Sequence, residues 1–394
     1  MGKLNHFKIY LYPIIAILVY HVTFVKYYYV KDYTIPTIIM IIPICLYLFL
    51  NINKILKTSR YKAINSYLII FSCLIFISSL INFSNFDSSI LFICKLWICF
   101  LFFEYIHIIN KIDKVLLIYI ILSTVYAIVS LKLYNTNISL FYNYGKNYFI
   151  GNKFDVAYIV YISFMMLYAW FNFREKNGKL NKLILISYYI FSMYVSNVVG
   201  CSTMVVGNLL TLLFLLIPNW CLKKESNIII TIVVSTVFLF VFSGILNISF
   251  IHDFIVNVLN KDTTLTGRMK IYSNIFTIIW QNLFFGVGYG NSYSTFMNIM
   301  NAPNAQNALL DWVVQIGVIG TLFLLQFVNK IFKNLKLKDM KKFKPIIVAL
   351  YIFSILGMVE ITINMCFFTL LAIVNSGYLL EEKGSEKDER KIIN

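Results

Sequence analysis

Charge is scarce in this sequence: of 394 residues only 13% are Asp, Glu, Lys or Arg, while 60% are hydrophobic. A water-soluble core of this size cannot enclose so much apolar surface, so lipid must be part of the solvent. The seven cysteines lie in or beside apolar stretches without the spacing of a zinc or haem site, and they supply no disulfide framework. They read as packing residues. A small-residue cleavage site is missing after the apolar stretch that follows Lys3 and Lys8, so that stretch is a retained first helix. There is no internal repeat and no inverted-repeat hydropathy of the kind that marks transporters.

What is present is a succession of apolar segments of about the 20 residues that a span needs. They lie near 9–24, 35–50, 64–81, 89–109, 115–131 and 154–171, then near 183–199, 201–219, 227–247, 307–329, 345–361 and 363–380. The expected fold is therefore all-α: a polytopic integral membrane protein with about twelve transmembrane helices, residues 1–394 forming one membrane domain. A net charge of +17 would suggest nucleic acid in a soluble protein. Here the lysines fall in short runs between apolar segments, which excludes a nucleic-acid stripe and matches the positive-inside pattern. With the N-terminus inside, Lys and Arg favour the cytoplasmic side by about three to one. Inverting the chain would translocate the lysine-rich run from Lys330 to Lys344. The expectation is an inner or plasma membrane location with both termini cytoplasmic, 381–394 being a solvated tail.

This topology leaves two long extracytoplasmic segments, 132–153 and the larger loop 248–306 before the last three spans. Within the larger one, the stretch from Arg268 to Phe285 puts Ile271, Ile275, Ile278 and Ile279 on one helical face and Ser273, Asn274, Thr277 and Gln281 on the other. Such a helix would lie at the membrane surface. Lys95 and Glu360 are the ionisable residues that stand out inside spans, where their cost marks them as substrate-binding candidates. They either line a shared cavity or pair with each other, or Lys95 snorkels outward. Glu104 and His107, near the cytoplasmic end of their helix, are expected to be interfacial.

From Thr266 to Gly320 the chain carries Gly267-Arg268, Trp280, the triplet Gly286, Gly288 and Gly290, then Asn307, Gly317 and Gly320. In order and approximate spacing these residues resemble the bacterial O-antigen polymerase and ligase superfamily. Gln306 stands where the family often has His, and Cys201, Ser202 and Thr203 stand where it often has a Ser-Arg pair. The ligase branch is thought to rely on that His, so the resemblance points to a Wzy-type polymerase of O-antigen or capsule. It implies a metal-independent glycosyltransferase without cofactor, acting outside the cytoplasm on a polyprenyl-diphosphate-linked oligosaccharide donor and acceptor. Membrane lipids surround it, and a chain-length regulator protein is a further expected partner. A ligase of the same superfamily and a lipid-linked oligosaccharide flippase are the alternatives.

Residue roles follow from that reaction. A departing lipid diphosphate needs fixed positive charge, and a planar guanidinium suits it, so Arg268 is the catalytic candidate and Lys270 a second, substrate-binding charge. The alternative is a surface helix whose basic residues face headgroups. Gly286, Gly288 and Gly290 allow backbone N–H groups to approach a ligand, or form a plain turn. Gln306 and Asn307 are catalytic candidates whose amides suit sugar hydroxyls, unless Asn307 only caps the next helix. Asp311, one turn deeper, is a substrate-binding candidate; a general base would come from Asp311, Asp253 or His252. No metal site is expected.

Overall fold

Backbone polar groups find no water in hydrocarbon, so a segment that crosses lipid must satisfy them within itself, as a helix does. Each of the twelve apolar segments contains a helix among the residues described by the structure, a computed structural model that describes residues 11–25, 34–83, 85–135, 149–175, 178–245, 268–335 and 337–377. The candidate bases His252 and Asp253, the cytoplasmic tail and most of the segment 132–153 fall outside the described residues. The helices are α1 (Tyr12–Phe24), α2 (Thr34–Phe49), α3 (Ile52–Leu56), α4 (Ser59–Ile81), α5 (Phe86–Ile108), α6 (Ile112–Asn135), α7 (Lys153–Phe173) and α8 (Lys179–Val198). They continue with α9 (Ser202–Leu216), α10 (Asn219–Lys223), α11 (Glu225–Ile245), α12 (Arg268–Gln281), α13 (Ser292–Met300), α14 (Ala308–Asn334), α15 (Leu337–Leu356) and α16 (Met365–Gly377). No β-strand occurs among the described residues.

By length and composition, five helices among the described residues are long and apolar enough to cross a membrane: Ile64–Ile81 of α4, Phe86–Ile108, Ile112–Leu133, Lys153–Phe173 and Ala308–Asn334. Among the described residues, Tyr12–Phe24, Ile35–Phe49, Ser202–Leu216, Glu225–Phe238 and Met365–Gly377 are apolar but shorter, whereas α8 and α15 have 20 residues each. One expected segment is cut back: α15 stops at Leu356, and the stretch thought to complete it, with Glu360, is an irregular connection to α16.

The centre of the bundle is α7, with 78% of its apolar window buried against 39% for the neighbouring α6. It packs between α6, α8 and α15, which explains why its apolar residues run all round the helix and form no stripe. Asn152 fixes its start: the side-chain oxygen accepts from the N–H of Phe154 (2.9 Å) and Asp155 (3.1 Å), and the Asp155 carboxylate accepts from Asn152 N–H (3.0 Å). This reciprocal cap satisfies three donors that the first turn would otherwise leave open. On the other side α14 packs on α4 and α11, and α16 packs on α5. Trp312 of α14 is where these helices meet, its ring 5.7 Å from Phe71, 5.7 Å from Phe92 and 5.9 Å from Phe368.

Helix α14 is not continuous. Gly317 has φ 70° and ψ −179°, a conformation that interrupts the ladder and that L side chains rarely adopt. The freed groups find partners in the segment 283–290. Val314 C=O accepts from Val287 N–H (2.8 Å), Gln315 C=O accepts from Gly288 N–H (3.0 Å), and Val318 N–H donates to Leu283 C=O (2.8 Å). Ser78 Oγ of α4 lies within reach of both Phe285 C=O (2.5 Å) and Gln315 C=O (2.8 Å). A Cβ on Gly317 would collide with the Phe284 carbonyl, and one on Gly286 would come within 2.5 Å of Val314 O. Irregular backbone at this depth is tolerated because protein covers it and supplies the missing bonds.

The amphipathic reading of α12 holds. Ile271, Tyr272, Ile275 and Ile278 are buried against Phe296 and Met300 of α13 and Leu310 and Val314 of α14. Asn274, Thr277 and Gln281 face outward. The exposed face is not purely polar, since Phe276 and Trp280 share it, Trp280 at 79% exposure.

Candidate functional site

The first turns of α14, the glycine-rich turn, the connection 357–364 and the N-terminal parts of α5 and α7 converge on two adjoining cavities. The connection is stitched down by Ala308 N–H to Gly357 C=O (2.7 Å), Asn307 Nδ2 to Met358 C=O (3.1 Å) and Trp312 Nε1 to Ile363 C=O (2.8 Å). One cavity, of about 390 Å³, is lined by Lys95, Ser88, Gly290 and Gln315 together with an aromatic wall of Phe92, Tyr289 and Trp312. The Phe92 and Tyr289 ring centroids are 4.7 Å apart. The larger, of about 470 Å³, is lined by Asn152, Asp155, Tyr158, Asn304, Gln306 and Glu360. Asp311, Ile361 and Asn364 belong to both walls. Both volumes fall in the range of roughly 300–1,000 Å³ usual for ligand sites.

Asp311 is buried, 4% exposed. Its Oδ1 accepts from Ser292 Oγ (2.5 Å) and its Oδ2 from Gln315 Nε2 (2.6 Å), while Gln315 Oε1 accepts from Gly290 N–H (2.8 Å). The carboxylate is thereby fixed in the partition between the cavities, and the same chain of bonds anchors the glycine-rich turn. The Ala305 backbone also hydrogen-bonds this carboxylate, which leaves one acceptor position for a ligand.

The structure brings five of the sequence candidates into these walls: Lys95, Gly290 and Asp311 in the smaller cavity, and Gln306, Glu360 and again Asp311 in the larger. Lys95 and Glu360 line neighbouring cavities and not one shared space. Glu360 is buried and accepts from Thr203 Oγ1 at 3.5 Å. Asn307 lines neither cavity: fully buried, it caps α14 through Oδ1, which accepts from Leu310 N–H (3.0 Å), and spends Nδ2 on Met358. The N–H groups of Gly286 and Gly288 go to Asn282 C=O and Gln315 C=O. Arg268 opens α12, and Lys270 follows in its first turn; the side chains of both lie outside the described residues. One turn on, Tyr272 donates its hydroxyl to Gln306 C=O (3.0 Å), tying α12 to the rim of the larger cavity. Gln306 itself has φ 51°, a conformation Gln adopts rarely.

Sequence reasoning missed Asn152, Asp155, Tyr158, Ser292, Gln315 and Asn364. Asn152 and Asp155 were legible as a cap before an apolar run. Nothing marked Tyr158, one of 28 tyrosines, as different from its neighbours.

Residues 184–325 match the family model described as O-antigen ligase. That match supports the O-antigen polymerase and ligase superfamily. Members of this superfamily are membrane glycosyl-transferring enzymes, a likeness that supports an enzyme and gives no support to the flippase alternative. No curated protein matches the chain. The matched segment runs from α8 through the break in α14, and so includes the glycine-rich turn, Gln306 and Asp311. Lys95, Tyr158 and Glu360 complete the two cavities from outside it.

Proposed function

We propose that the protein is a polymerase that joins polyprenyl-diphosphate-linked oligosaccharide repeat units on the extracytoplasmic side of the membrane. The observation that carries this reading is the pair of adjoining polar cavities with Asp311 in their common wall. A transfer between two large saccharide substrates needs two subsites that meet at one reacting bond. In the reaction, an acceptor hydroxyl oxygen bonds to the anomeric carbon of the donor's reducing-end sugar. The anomeric C–O bond breaks, the lipid diphosphate leaves with the electron pair, and the hydroxyl proton passes to a base. Asp311 is the carboxylate that borders both subsites and is our choice for that base. Lys95 supplies positive charge on the donor side, where the aromatic wall suits the apolar face of a sugar ring. Arg268, in a helix tied to the rim at Tyr272, is our candidate for the diphosphate itself.

Deleting the gene is expected to leave surface glycan at single repeat units; normal long polymer would reject the polymerase reading. Purified protein given lipid-linked repeat units should produce a ladder. The family description favours a second reading, a ligase, and the same assay separates them, since a ligase moves finished glycan to another acceptor without a ladder. Arg268→Ala should lower transfer on the order of a hundredfold or more, the worth of roughly 3–4 kcal/mol of charge stabilisation. Arg268→Lys should restore little if a bidentate contact is required, and nearly all if Arg268 only meets headgroups. The orientation is tested by single cysteines in a cysteine-free background: Asn143→Cys and Asn298→Cys should react with an impermeant thiol reagent in intact cells, and Lys338→Cys should not.

A further inference from the structure

We infer that α12 is sunk into the surface of the bilayer on the strip Phe276, Trp280 and Phe284, and that lipid acyl chains cover this strip. By amphipathicity alone, the isoleucine face would lie on the membrane. In the fold that face is taken up by protein, since Ile271, Ile275 and Ile278 pack against α13 and α14. What remains outside divides again. Phe276 and Trp280 are four residues apart and stand one above the other, and Phe284 follows at the same interval just past the helix end. Thr277 and Gln281, also four apart, form a polar strip with Asn274, beginning about 100° further round the axis. All six residues are exposed, Trp280 at 79% and Phe284 at 63%. The helix thus carries three strips where an ordinary surface helix carries two. A helix that meets protein, hydrocarbon and water along one length needs that number.

The second observation says what covers the aromatic strip. The segment after α12 runs against the last turn of α4: Ser78 Oγ donates to Phe285 C=O (2.5 Å), and Asn82 Nδ2 donates to Gly286 C=O (3.0 Å). Helix α4 is long and apolar enough to cross a membrane, yet only 39% of its apolar window is buried in the protein, so its outward side meets lipid. At this end that side is Leu80, Ile81 and then Phe83, which is 87% exposed. On the other flank, Val318 N–H of α14 donates to Leu283 C=O (2.8 Å), and Leu322, one turn further along this second spanning helix, is again exposed. Phe284 stands between the two attachments. A water-soluble partner would have to displace lipid from both spans to reach it. An indole, which joins an apolar ring to a single N–H donor, suits the boundary between hydrocarbon and headgroups. On the protein-facing side, Tyr272 ties the same helix to Gln306 C=O (3.0 Å), so one short helix meets both the lipid and the rim of the larger cavity. The inference goes beyond the transferase reading and does not rest on it.

The test uses the full chain in nanodiscs of phosphatidylcholine and of phosphatidylcholine brominated in its acyl chains. The chain has five tryptophans, and the emission of Trp280 is read as the difference between the native protein and Trp280→Phe, a change at an exposed ring that leaves the packed core alone. That difference should lose most of its intensity in the brominated lipid and keep it when iodide is added to the water. A second pair of variants reads the strips separately. Trp280→Cys and Gln281→Cys, in a cysteine-free background, place a thiol-linked fluorophore at neighbouring positions about 100° apart round the helix. Bromine should quench the first label and iodide the second. Quenching of Trp280 by iodide and not by bromine would put the strip in water. Quenching by neither would mean that protein, such as a second copy of the chain, covers it, and equal behaviour of the two labels would remove the division into strips. Each of these results overturns the inference. None of them reads polymer formation, so long polymer in a deletion strain would reject the polymerase while leaving the lipid contact standing.

Discussion

The two cavities share Asp311, Ile361 and Asn364 and differ in nearly everything else that faces a ligand. The smaller presents Lys95 and three aromatic rings; the larger presents amides, a phenol and two further carboxylates. The difference arises from which helices close them. An apolar span, α5, contributes Phe92 and the lysine, with Tyr289 from the glycine-rich turn and Trp312 from α14 completing the rings, whereas the capped start of α7 contributes Asn152 and Asp155 because a helix start needs acceptors for its open N–H groups. Polarity that one side acquires through capping becomes the lining of a site. The lesson is that local helix chemistry and ligand chemistry draw on the same side chains here.

Substitutions can break this pairing at several levels. The largest effect is expected for Gly317→Ala, which puts a Cβ into the Phe284 carbonyl at a positive φ and so dislodges the front half of α14 that both cavities share. The strained backbone alone costs about 1–3 kcal/mol, and displacing the stitched turn adds to it. Monodisperse protein on size-exclusion chromatography should be lost, and both cavities with it. Next comes Asp311→Asn, which keeps the shape of the partition. A proton-accepting role predicts a fall in ladder formation of about 10²–10⁴-fold with the protein still folded. A fall of less than tenfold would leave Asp311 as an anchor of the glycine-rich turn.

A smaller and one-sided effect is expected for Lys95→Met. Transfer should drop with a raised KM for the lipid-linked donor, while sugar binding in the larger cavity is unchanged. Equal losses in both assays would show that the cavities are not separate in function. The smallest effect is expected for Asn152→Ala, which removes the cap of α7 at a cost of about 1 kcal/mol, read as a modest loss of thermal stability. Loss of sugar binding beyond that would mean that Asn152 meets the ligand directly.

Much of the architecture was legible. The twelve apolar segments contain helices because hydropathy acts residue by residue along the chain, and the face of α12 was readable because its isoleucines repeat at helical spacing. The site was legible only in parts. Lys95 and Glu360 stood out as ionisable groups in apolar surroundings, and both line cavities. Their placement in two neighbouring spaces depended on where α15 ends: Gly357, directly after Leu356, is the stop signal that a reading by hydropathy ran through. Asn307 fits the bland alternative of capping, whereas Gln306, its neighbour, turns into a cavity wall through a rare backbone conformation.

By itself, the sequence determined that this chain is helical and suited to lipid, and that its distinguishing residues lie between Thr266 and Gly320, since composition, period and motif spacing are properties of the chain read in order. Only the tertiary structure decided that α14 breaks at Gly317 and that the glycine-rich turn supplies the missing hydrogen bonds. It also decided that Tyr158 and Asp155 share a wall with Glu360. The physical reason is that a cavity is lined by residues brought together through helix packing across some 200 positions of chain, and neither periodicity nor local charge encodes which helix ends will meet.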